Sequence, residues 1–184
     1  MVGGIIFFLC TTAAEAAIPG YSVRTDAISY LGGAGSPTEL FWNFQLLVVG
    51  VLWIASTYLL FRGRGHVLLS VSFYLTSIGI VMVSLFPWNV LSSLHGIGAL
   101  MAFIFGSLTC IGSPRIISGQ LKKTSVSLGL ISLAAWTLNI FGLANVLGGG
   151  GAERMLYYPI ILWAIAFGAY LQALHSNAVP SSGA

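Results

Sequence analysis

Six apolar runs with almost no charge inside them decide what this chain can fold into. They lie at residues 2–18, 40–61, 67–86, 95–111, 125–147 and 156–174, and a helix needs about 20 apolar residues to cross a bilayer. Pro19-Gly20 closes the first run and Pro87 the third, as expected at helix ends. Charge is scarce throughout: 7 Lys plus Arg and 4 Asp plus Glu make up 6% of 184 residues, where a soluble domain carries about a quarter. So few charges cannot hydrate a soluble surface. The expected fold is an all-α membrane protein, a six-transmembrane-helix bundle in one domain over residues 1–175, with a polar tail, residues 176–184, expected to be disordered.

The first run imitates a signal peptide, with Ala14-Glu15-Ala16 resembling a cleavage site, but no Lys or Arg precedes its apolar core. An uncleaved span is therefore expected. On alternate sides of six spans, Arg62, Arg64, Arg115, Lys122 and Lys123 oppose Arg24 and Arg154. Cationic loops stay in the cytoplasm, so a multi-pass cell-membrane protein with both termini cytoplasmic is expected. Tyr21, Tyr30, Trp42, Trp88, Tyr157 and Tyr158 then fall near the outer interface, where amphipathic rings are favoured. The net charge of +3 records this orientation and gives no reason to expect a nucleic-acid partner; membrane lipids are the expected partners. Cys10 and Cys110 sit at different depths, and no disulfide between them is expected.

Small residues mark helix contacts. Gly98, Ala102 and Gly106 recur every four residues on the fourth span, a face that lets backbones approach closely and that could meet a second copy or a partner membrane subunit. Ser70, Ser77 and Ser84 repeat every seven residues on the third span, which favours packing and bonding back to carbonyls over a polar pathway.

The residues capable of chemistry collect at the outer side: Glu15, Tyr21, Arg24, Asp26, Asn43, His95, Glu153 and Arg154. Three carboxylates and two arginines at one depth are expected to pair, because an unpaired charge in the bilayer is costly. Between the first two spans, Val23, Ala27, Ile28 and Leu31 follow Ser22 at helical spacing, and Gly32-Gly33 stops the pattern. A short interfacial helix in this first outer connection is expected, with Asp26 and Tyr30 on one side of it. His95 is the one outer histidine and has Ser92 and Ser93 beside it. There is no G-x-S-x-G, no H-E-x-x-H and no second outer His or Cys, so neither a metal nor a cofactor is expected. Gly148 to Gly151 lacks the strand before it and the G-K-[ST] after it that a phosphate loop requires, and reads as a flexible turn.

The run from Ala14 to Ser22, then Ala27-Ile28-Ser29, Leu31-Gly32, Phe41 to Asn43, Leu85-Phe86-Pro87, His95-Gly96, Gly151 to Met155 and Trp163, resembles the domain-of-unknown-function 998 family of small membrane proteins. The resemblance spans nearly the whole chain. It implies a six-helix bundle, supplies no activity, and picks out Glu15, Tyr21, Ser22, Ser29, Asn43, Pro87, His95, Glu153 and Arg154. The family usually has Asp before the Leu-Gly pair; this chain has Tyr30 there, and Asp26 one helical turn earlier is the acid that could replace it.

Three functions fit these residues. The first is binding of a lipid head group or small amphiphile at the outer cluster, with an arginine on an anionic group and Glu15, Asp26 and Glu153 orienting the arginines. The second is an intramembrane lipid-modifying enzyme with His95 as base, oriented by Asp26 or Glu15. The third is a structural or accessory membrane subunit.

Overall fold

The computed structural model describes residues 1–178, without the side chains of residues 144, 145, 177 and 178. Six α-helices fill it: α1 Val2–Ala17, α2 Glu39–Phe61, α3 Val67–Leu85, α4 Ser92–Gly112, α5 Leu121–Ile140 and α6 Gly148–Ala178. Their ends follow from local chemistry. Ile18 and Phe86 each precede a proline and take the extended backbone that proline imposes on the residue before it. Gly63 and Gly142, with φ of 74° and 69°, turn the chain after α2 and α5.

Neighbours in sequence pack as neighbours in space, and α6 also packs on α1 and α4, closing the bundle. Four helical stretches are long and apolar enough to cross a membrane: Glu39–Phe61, Val67–Leu85, Ser92–Arg115 and Gly148–Ser176. The other two helices differ. α1 is apolar but only 16 residues long, and α5, with Lys122, Lys123 and several hydroxyl residues, falls short of the same apolarity. The fifth span was expected to run to residue 147; helix α5 stops at Ile140, and a 3-10 helix, Leu143–Leu147, follows. α6 begins at Gly148, so the glycine run is its first turn and not a loose connection. It continues to Ala178, which makes the start of the expected tail helical; residues 179–184 lie outside the described residues.

The first connection contains no α-helix. A turn over residues 23–25 leads into a 3-10 helix, Ile28–Gly32. The helical spacing there had a different origin: Ile28 and Leu31 are buried at 1% and 0%, while Val23 is half exposed. Tyr30 lies on Trp88, ring centroids 4.8 Å apart, and Trp42 and Tyr157 belong to the core and not to an interfacial belt.

The small residues of α4 do bring backbones together, but inside this chain. A Cβ on Gly98 would strike Met82 and the Gly79 carbonyl of α3, and one on Gly106 would strike Ile160 of α6. The face that could have met another subunit is thus already used. The three serines of α3 bond back to carbonyls one turn earlier, Ser77 to Phe73 and Ser84 to Val81 at 2.7 Å. Three further hydrogen bonds hold α5: Ser132 accepts from Ser107 at 2.8 Å and donates to the Leu156 carbonyl at 2.7 Å, and Trp163 Nε1 donates to Ser125 at 2.9 Å.

A Cβ at Gly79 would meet the Gly98 carbonyl and the Ala102 amide, backbone atoms that cannot move singly. Gly79→Ala should therefore lower stability by about 1–3 kcal/mol, whereas Gly96→Ala, which meets open space, should raise it by up to about 1 kcal/mol. Labelling of the fully buried Cys110 by a thiol-reactive dye during heating in detergent measures both.

Candidate functional site

Arg154, in the second turn of α6, is 4% exposed. A guanidinium removed from water needs acceptors for its fork of donors. Nη1 donates to the carbonyls of Val23 at 2.9 Å, Asp26 at 3.0 Å and Gly150 at 2.8 Å. Nη2 donates to Glu15 at 2.5 Å and to the Tyr21 hydroxyl at 2.8 Å, and the Tyr21 ring lies 5.7 Å from the guanidinium carbon. One side chain thus joins the end of α1, the first connection and the start of α6.

The glycine run makes this possible. A Cβ at Gly150 would overlap the carbonyl oxygens of Asp26 and Val23, and one at Gly148 the carbonyl of Arg24. With no side chains in the way, the loop lies directly on the first turn of α6, and the Gly151 amide donates to the Arg24 carbonyl at 3.0 Å. That bond satisfies one of the amides a helix start leaves open.

The remaining groups fix the same loop from other directions. Glu153 accepts from the Ile28 amide at 2.5 Å, at the start of the 3-10 helix. Burial pushes the Tyr21 phenol up to about 12, so it stays protonated and donates to the Ala27 carbonyl at 3.0 Å. Asn43 Nδ2 donates to the Gly32 carbonyl at 2.9 Å, and Thr38 donates to the Leu31 carbonyl at 2.8 Å. Asn89, from the α3–α4 link, accepts from the Ala34 amide at 2.8 Å and donates to its carbonyl at 3.0 Å.

Sequence reasoning brought three carboxylates to two arginines. Among the described residues there is one ion pair, Arg154 with Glu15. Asp26 offers Arg154 only its backbone carbonyl; its carboxylate accepts from the Ser22 amide at 2.8 Å and from the Thr25 hydroxyl at 3.2 Å. Arg24 is exposed, and among the described residues its guanidinium makes one hydrogen bond, to the Val146 carbonyl at 3.4 Å. His95 stands apart from this cluster: its Nδ1 donates to the Phe86 carbonyl at 2.8 Å, and among the described residues no carboxylate or serine is bonded to it. Glu15, Tyr21 and Arg154 are therefore together, Arg24 lies on the loop they hold, Glu153 and Asn43 hold that loop from α6 and α2, and His95 serves another contact.

Several participants escaped sequence reasoning. The carbonyls of Val23 and Gly150 carry no side-chain signature. Gly148 and Gly150 did carry one, a glycine run directly before Glu153-Arg154. Thr11, Trp42 and Gln45 are buried with Thr11 Oγ1, Trp42 Nε1 and both Gln45 amide atoms unpartnered, as is Arg154 Nε. Gly3 of α1 lies against Val49 and Trp53 of α2, so these antiparallel helices bring Thr11, two turns further, level with Trp42 and Gln45. A lone glutamine within the second apolar run was the signal for this buried polarity.

Residues 1–170 match the family described as Protein of unknown function (DUF998). The chain belongs to this family. The match takes in all of α1 to α5 and the part of α6 that carries Glu153 and Arg154, so the arginine-centred cluster of this DUF998 protein lies wholly within it. Neither the curated proteins nor the solved structures give a match. Among the described residues, no group of three His, Cys, Asp or Glu side chains could hold a metal ion.

Removing the guanidinium leaves Glu15 and several carbonyls without their donor. Arg154→Gln should cost about 3–5 kcal/mol, and Arg154→Lys should not restore the loss, because a point-like ammonium cannot reach five acceptors. In both variants trypsin should cut at Arg24 faster than in the wild type, a direct reading of the released loop.

Proposed function

We propose that this protein spans the cell membrane six times with both termini in the cytoplasm, and that its outer end holds a phosphate-bearing amphiphile. In this reading Arg24 takes the anionic group of the head, and Glu15, Tyr21, Asp26, Glu153 and Arg154 are positioning residues that fix the loop carrying it. Asn43 and His95 support the same end from α2 and α4.

The carrying observation is the contrast between the two arginines at this end. Arg154 is closed around five acceptors of the protein itself, while Arg24 is exposed. Arg24 touches Val146, which lines an apolar groove of about 330 Å³ between α5 and α6, with Ile131, Leu138, Ala152 and Met155 also on its walls. A cation at the polar mouth of an apolar groove suits an amphiphile with a phosphate or carboxylate head. Among the described residues the nearby carboxylates make no ion pair with Arg24 and accept from backbone amides: Ser22 holds Asp26, Ile28 holds Glu153 and Gly35 holds Glu39. The orientation rests on five cations gathered at the other end.

Native mass spectrometry of protein purified with phosphatidylglycerol tests the binding. Arg24→Gln and the groove-filling Ala134→Trp should each retain one phospholipid fewer than the wild type; unchanged retention in both overturns the reading. Arg24→Cys should react with a membrane-impermeant maleimide on intact cells, and reaction only after permeabilisation overturns the orientation.

A further inference from the structure

A second opening lies at the other end of the bundle, where α1 begins. It is a cavity of about 370 Å³ between α1, α2, α3 and α6, with Leu52, Trp53, Phe73, Trp163, Phe167 and Leu171 among its lining residues. Its position follows the helices. Trp53 stands opposite Gly3, and Leu60, also on the wall, is two residues from Arg62. The opening therefore follows α2 for about 10 Å toward the cationic end.

Its walls are built from rings. Trp163 and Phe167 stack with centroids 4.9 Å apart, and Phe73 sets its edge on Trp163 at 5.7 Å and on Phe61 at 5.2 Å. Trp163 Nε1 is already satisfied by Ser125, and Met1, Ser56 and Gln172 add a few polar groups to a lining that is otherwise mostly apolar. At membrane depth the apolar occupant available to a mostly apolar opening is a lipid tail.

Charge selects among lipids. Arg62 and Arg64 follow directly on α2 and are exposed, and Arg115, Lys122 and Lys123 stand at the same end. All four acidic residues, Glu15, Asp26, Glu39 and Glu153, belong to the opposite end. We infer that the cavity takes one acyl chain of an anionic phospholipid from the adjacent leaflet, with its phosphate at Arg62 and Arg64. The site does not depend on the outer groove, and Arg24 has no part in it.

Two tryptophans on the wall supply the readout. The full-length protein is placed in phosphatidylcholine nanodiscs containing a small fraction of phosphatidylglycerol with brominated chains, and tryptophan quenching is compared with the bulk fraction. Two juxtamembrane arginines should enrich the brominated anionic lipid on the order of ten-fold over bulk. The Arg62→Gln/Arg64→Gln double variant should lose that enrichment, and Ser56→Phe should block it by filling the opening. Quenching that follows the bulk fraction in the wild type overturns the inference. So does enrichment that persists in either the double variant or Ser56→Phe, each checked as folded by its unfolding temperature.

Discussion

A guanidinium held out of water must find acceptors, and in this protein that demand organises one whole end of the bundle. Arg154 meets it with one carboxylate, one phenol and three backbone carbonyls. Carbonyls at those positions exist only if the chain after α1 folds back onto the start of α6. The loop is thus shaped less by its own propensities than by a charge 128 residues beyond Asp26. This explains why a segment with helical spacing forms a turn and a single stretch of 3-10 helix: its carbonyls are committed outward and cannot be spent on a continuous helix.

Close approach of backbones is the second constraint, and glycine answers it at several contacts. Between α3 and α4, Gly79 and Gly98 bring two helix backbones into contact. At the start of α6, Gly148 and Gly150 do the same for a helix and a loop. In lipid, packing and polar contacts replace the hydrophobic drive that joins helices in water. The serine bridge from α4 through Ser132 to α6 belongs to the same economy, tying in α5, whose own sequence is the least suited to lipid.

The apolar runs made α1 to α4 legible within a few residues, whereas α5 ends at Ile140 and not at residue 147, and α6 begins at Gly148 and not at residue 156. Helix α4 starts at Ser92, three residues before the expected His95, and α2 and α3 match their runs within one residue. The glycines before Arg154 were misjudged because glycine's conformational freedom reads as a turn, while its lack of a side chain was the property in use. The site was legible as a set and not as a geometry. Glu15, Tyr21 and Arg154 were rightly grouped by depth, but sequence gives no means of seeing that Asp26 would contribute its carbonyl and not its carboxylate. The small-residue face of α4 was visible as a place of close approach; which helix would meet it depends on how the bundle closes, and spacing along one helix carries nothing about that.

The charges, finally, are unequally used at the two ends. Where the four acids lie, each is held by a partner from this chain: Glu15 by Arg154, and Asp26, Glu39 and Glu153 by backbone amides. That end carries four acids and two arginines, so its formal charge is negative, and its carboxylates are fixed in place. The other end has five cations and no acid, so its positive charge has no internal counterpart. In water, counterions would suffice. At a membrane surface the nearest anions are lipid phosphates, attracted over about a Debye length of 8 Å. An apolar cavity opening toward such an end therefore lies in a zone already enriched in the lipids whose chains it could accept. In the proposed topology, the cations that direct insertion also help to choose the lipid.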